Sequence, residues 1–127
     1  MLPLRKKEIV LLFNALEEIA HEVNKPWLVL RDFNCIANFE ERIGQRVRSS
    51  ELVLLRNSMV NCSIHDIKFS GRFFTWTNKQ AGVHRVLSKI NRFLGNNLWD
   101  DTYPMAEVLF LPEGLFDHTP MLVQFFC

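Results

Sequence analysis

A chain of 127 residues, 48% hydrophobic and 23% charged, has the length and composition of one globular domain, which excludes a disordered polyampholyte. A formal net charge of +1 neither demands nor excludes a polyanionic partner, because a basic strip can be balanced by acids elsewhere. No apolar run approaches the length of a bilayer span and the first residues lack the order of a signal peptide, so no membrane partner is expected and the chain reads as soluble and intracellular.

Residues 5–23 carry Ile9, Leu12, Phe13, Leu16, Ile19, Ala20 and Val23, with Glu8, Glu17, Glu18 and Glu22 largely between them, the stripe of an amphipathic helix packed on a sheet. Asn24 and Pro26 end it. Residues 27–30 are a short apolar run, long enough for a buried strand and too short for a helix, and a helix leading into such a strand is an α/β unit. At its carboxyl end Asp32 and Asn34 stand two residues apart. In extended chain that spacing puts both side chains on one side, at a strand mouth where open α/β folds place ligands. A strand followed by a polar turn is the plainer account of the same residues.

Residues 38–45 read as loop, and Ser49 or Ser50 offers the N-cap of a second helix running to about residue 61, with Leu52, Leu55 and Met59 on one face. Residues 64–67, 72–77 and 85–94 are the next strands, with turns at Ser70-Gly71 and at 78–82, the last two strands forming a hairpin with a longer loop. A short helix at 97–101 precedes strands at 106–111 and 119–126, which a loop at 112–118 joins. The chain shows no repeat, no low-complexity tract and no linker, so one domain is expected over 1–127. Cys35, Cys62 and Cys127, an odd number at unrelated spacings, read as free thiols.

Two further polar sites stand out. Asp117-His118 lies in the Gly-containing loop between the last two strands, and Ser88-Lys89-Ile90-Asn91-Arg92 displays polar groups at alternate positions of a strand. Alone, the first is a turn Asp beside a surface His and the second a half-solvated strand. A serine hydrolase built from Ser88, His118 and Asp117 fits poorly, since no nucleophile-elbow sequence is present. The ordered set, however, resembles one family. Trp27-Leu28-Val29-Leu30-Arg31-Asp32-Phe33-Asn34, Glu41-Arg42-Ile43-Gly44, Phe74-Thr75-Trp76-Thr77-Asn78, Ser88-Lys89-Ile90-Asn91-Arg92 and Phe110-Leu111-Pro112-Glu113-Gly114 with Asp117-His118-Thr119-Pro120 follow the order and spacing of the endonuclease/exonuclease/phosphatase, or DNase I-like, family. The likeness is to the carboxyl-terminal half of such a domain, above all to the apurinic-type endonucleases of LINE-type (non-LTR) retrotransposons.

The resemblance implies an α/β fold of two packed β-sheets flanked by helices, a Mg²⁺ cofactor and a DNA substrate cut at its backbone. Carried over residue by residue, Asp32 positions or deprotonates the attacking water, Asn34 holds a phosphate oxygen, Asn91 stands where the family orients its His, His118 stabilises the transition state and Asp117 lies at the metal. Arg31, Ser88, Arg92, Trp76 and Asn78 are the substrate-binding candidates. In-line displacement needs this division between a base and charge neutralisation at the equatorial oxygens.

The chain departs from the family at four places. Arg31 replaces the Gly of Gly-Asp-Phe-Asn, Asn91 replaces an Asp, Phe116 replaces a Ser, and the family's amino-terminal half, which supplies a metal-binding Glu, has no counterpart in this sequence. The expectation is therefore a truncated endonuclease domain with little or no hydrolytic activity. A half-domain of this kind would leave an apolar sheet face for self-association or a partner chain to cover. Two alternatives follow from the same residues: a nucleic-acid-binding module without catalysis, in which Arg31, Arg42, Arg46, Arg48, Arg72, Lys79, His84, Arg85, Lys89 and Arg92 track a backbone, and a residual phosphodiesterase active only with a partner chain.

Overall fold

The computed structural model describes residues 6–111 and 121–124, which form a mixed α/β fold. In chain order its elements are α1 (Lys6–Glu22), β1 (Leu28–Asp32), a 3₁₀ turn (Phe39–Glu41), β2 (Arg42–Ile43), α2 (Ser49–Cys62), β3 (His65–Asp66), β4 (Phe69–Gly71), β5 (Trp76–Thr77), a second 3₁₀ turn (Gly82–His84), β6 (Leu87–Ser88), β7 (Asn91–Gly95), α3 (Asn97–Thr102), β8 (Glu107–Phe110) and β9 (Met121–Gln124). No helix among the described residues is long and apolar enough to cross a membrane.

Instead of the two sheets that the resemblance implies, the described strands pair in three, ordered β1-β7-β3, β2-β6-β5 and β4-β8-β9. The first two are antiparallel, and in the third β4 runs parallel to β8 while β9 is antiparallel to it. The cause lies in residues 85–94, which are two strands and not one. Thr75, fully buried, accepts the N–H groups of both Ile90 and Asn91 at 3.0 Å, and the chain steps there from the second sheet to the first. Ser70-Gly71 is likewise no turn. Both residues belong to β4, and Gly71 ends it at φ +86°, where a β-carbon would run into the Phe110 carbonyl oxygen.

The layers follow from alternation along β7, which is buried at every position. Leu94 faces Ile9, Phe13, Leu55 and Ile64 under the two helices, whereas Phe93 faces Ile67, Trp99, Val108 and Phe110 under the third sheet. Helices, first sheet and third sheet are therefore stacked. A smaller cluster of Ile36, Leu52 and Ile90, with Trp76 against it, fills the end where the second sheet joins. Arg48, not Ser49 or Ser50, is the N-cap of α2, and its side chain makes no capping hydrogen bond. The helix outlasts residue 61 by one position and stops at Ser63, left-handed at φ 54°, whose N–H donates to the Met59 and Val60 carbonyls.

Both helices run antiparallel to β1. A cavity lined by Ala20, Val23, Trp27, Cys62 and Asn96 collects their carboxyl ends beside the start of β1. Their amino ends accordingly lie where β1 closes.

Candidate functional site

Asp32 is the last residue of β1 and pairs across the ladder with Asn91, the first of β7. Directly opposed residues of an antiparallel pair project to the same face, so the structure brings these two candidates together. The next pair along is Arg31 opposite Arg92, two guanidinium residues with opposite fates. Arg31 is exposed. Arg92 is fully buried: its Nη1 donates to both Asp66 carboxylate oxygens at 2.8 and 3.1 Å, and its Nη2 to Glu41 Oε1.

Glu41 is the organiser of this region. Only 4% exposed, it accepts the Ala37 N–H at 2.7 Å and the Asn38 N–H at 3.2 Å, besides the Arg92 guanidinium. Its own carbonyl takes the Lys89 N–H at 2.8 Å. Arg56 of α2 ties down the same loop through the Ala37 carbonyl and the Asn38 side chain. The Glu-Arg-Ile-Gly and Ser-Lys-Ile-Asn-Arg motifs thus meet through a buried ion-pair network, a structural use of Arg92, one of the substrate-binding candidates.

Four of the five substrate-binding candidates make contacts within the fold. Arg92 is committed to Glu41 and Asp66. Ser88, 2% exposed, accepts a hydrogen bond from Arg42 Nε at 3.0 Å. Trp76 is half-buried and packs against Ile36, Leu52 and Ile90. Asn78 spends its amide on its own loop, Oδ1 accepting from the Gln80 and Val86 N–H groups and Nδ2 donating to the His84 carbonyl at 2.8 Å. Of the five, Arg31 alone presents an exposed side chain without such a commitment. Asp117 and His118 lie outside the described residues, as does Phe116.

Asn34 also departs from expectation. Asp32 Oδ1 accepts the Asn34 N–H at 2.8 Å, closing a local turn, and Asn34 adopts φ 53°. Strand alternation ends at Asp32, so the two side chains no longer share a face by register. Asn34 lines a separate cavity of about 400 Å³ between the amino ends of α1 and α2, and Asp32 does not.

Within the described residues this donor set comprises the Asp32 carboxylate with the neutral Asn91 opposite it, whereas Asp117, the residue that the resemblance puts at the metal, lies outside them; Mg²⁺ takes one or two carboxylates with waters and phosphate. No group of three or more His, Cys, Asp or Glu side chains that could hold a metal ion occurs among the described residues.

Thr75 has no individual role in the sequence reading, and Lys89 figures there only among the basic residues that would track a backbone. Lys89, 2% exposed, places its Nζ 4.0 Å from the Phe69 ring centroid and 4.4 Å from that of Phe110. Burial lowers its pKa from 10.5 to about 8, with Arg92 adding to the effect. The buried Cys35 thiol moves the other way, pushed up to about 12 by desolvation, which disfavours the thiolate. Neither a protein-family model nor a curated protein matches this chain.

Proposed function

We propose that the chain is a DNase I-like domain, descended from a Mg²⁺-dependent phosphodiesterase that nicks DNA, with little or no hydrolytic activity of its own. What supports this is the register that sets Asp32 opposite Asn91 at the strand mouth. A phosphodiesterase of this type needs a carboxylate to orient the imidazole and stabilise its charged form. An amide orients but does not match the charge, and the corresponding Asp-to-Asn change in a serine protease triad lowers turnover by about 10⁴. The ordered motifs support the ancestry, and Glu41, Ser88 and Arg92 within them are held by buried contacts of the fold.

Incubation of the purified protein with supercoiled plasmid and Mg²⁺ tests the proposal. The expected result is no conversion to open circles above a buffer control. Nicking that requires Mg²⁺ and disappears in Asp117→Ala would overturn it. If nicking is absent, Asn91→Asp is the informative variant, because gain of activity would identify the missing charge as the cause.

A further inference from the structure

The first sheet has an open side. Its order is β1-β7-β3, and no described strand pairs with the outer edge of β1. The Phe33 N–H donates to the Ile90 carbonyl and the Trp27 carbonyl accepts the Asn96 N–H, so odd-numbered residues turn their backbone groups inward to β7. Leu28 and Leu30 therefore turn theirs outward. Leu28-Val29-Leu30 carries no charge, proline or bulge to blunt the edge, and Leu30 is 55% exposed.

Above this edge hangs an apolar flank of α1. Phe13 stacks on Phe33 with ring centroids 6.0 Å apart, which sets α1 over β1. The second helix connects β1 to β3 and lies toward the middle of the sheet, and its Asn61 donates to Glu17 Oε1 at 3.0 Å, so α1 turns its Glu17 side to α2. Ala15, two residues from Glu17 and so about 200° around the helix, faces the other way. Leu11 and Ile19 stand in line with Ala15 at four-residue spacing, 59% and 48% exposed.

Strand edge and helix flank share a midpoint. Asn34 and Ile9 line one cavity beyond the end of β1, and Trp27 and Ala20 line another before its start, so Leu30 lies level with the middle of α1, near Ala15. A two-fold axis through Leu30, normal to the sheet, sets Leu30 against its own copy with both N–H···O bonds exchanged, and Val29 against Arg31. The same axis brings Ala15 against Ala15, a small side chain where two helices meet, with Leu11 beside Ile19 on either side. An axis through Arg31 would instead oppose two guanidinium groups. The strip is about 25 Å long by helix rise and about 20 Å high from sheet to helix, so each copy covers about 500 Å², which reaches the total of about 1,000 Å² that a specific dimer needs.

We propose that a second copy of the chain docks here, β1 against β1 in antiparallel register centred on Leu30, making one continuous six-stranded sheet with the two α1 helices paired above it. The interface does not depend on the hydrolytic history proposed above.

Sedimentation equilibrium and light scattering of the purified full chain over a concentration series test this, and the expected mass is that of two chains. Ala15→Arg and Leu30→Lys place like charges on the axis and should weaken association about thirtyfold or more. Val60→Lys, at an exposed site on α2, should leave it unchanged. All three positions are exposed, so each variant should keep the far-UV spectrum of the parent. Amide exchange gives a second reading: the Leu28 and Leu30 N–H groups should be protected in the parent and exchange freely in Ala15→Arg, with Val29 protected in both. A chain that stays monomeric throughout the series, whether or not it binds some other protein, overturns the proposal. A dimer that both axis variants leave intact, or that Val60→Lys disrupts equally, does so too. Plasmid nicking enters none of these readings, so the two proposals fail separately.

Discussion

Lys89 sits with its ammonium among the rings of Phe69, Phe73 and Phe110, where the alkyl stem is well solvated by carbon and the charge is held by ring faces instead of water. Desolvation prevails over that attraction, because the folded pKa is about 8 against 10.5 for a free lysine. Between those values the unfolded chain binds the proton and the folded chain has released it, so stability rises with pH across about 8 to 10.5 and this residue adds no slope below that window. Urea unfolding over a pH series should show the rise in the parent and lose it in Lys89→Met. The variant should also be at least as stable as the parent at pH 7. An identical slope in both proteins would refute the assignment.

At the scale of elements, legibility tracked the range of the interactions involved. The helices were readable because Ile9, Phe13, Leu52 and Leu55 recur at helical spacing, a signal carried within a few residues of chain. Strands β2, β3, β5 and β6 have two residues each, too few to show alternation, and exist because a distant partner pairs with them. Asp32 and Asn34 were placed on one face by a rule that holds only while chain stays extended, and the Asp32 side chain itself ends the extension by capturing the Asn34 amide. No local pattern marks the Asp32–Asn91 pairing, and nothing local distinguishes Glu41 and Arg92 from surface charges. Gly71 was misassigned to a turn for a related reason, since its left-handed φ serves the close approach of β4 to β8. Gly71→Ala is expected to cost about 2–4 kcal/mol, combining backbone strain with displacement of the Phe110 carbonyl, as read from denaturant midpoints. A loss below about 0.5 kcal/mol would mean that the strand end relaxes freely.

For the molecule as a whole, Arg92 joins β7 to β3 through Asp66 and to the loop entering the second sheet through Glu41. Removing the guanidinium leaves Glu41 buried with a charge that the Ala37 and Asn38 amides alone must hold. Arg92→Leu should therefore destabilise by about 3–5 kcal/mol, and adding Glu41→Gln should restore part of that loss, because the uncompensated charge and not the absent bridge is the larger cost. Denaturant unfolding of the two single variants and the double variant checks this. Strict additivity would show that the pair is not coupled.

Strand β7 lies between β1 and β3 in its own sheet, with helices above it and the third sheet below. On a ribosome, which issues the chain from its amino end, α1, β1 and α2 emerge long before the strand they close upon. Their oily sides therefore stay uncovered until residue 95 has left the exit tunnel, an interval in which a chaperone or a neighbouring nascent chain has them to bind.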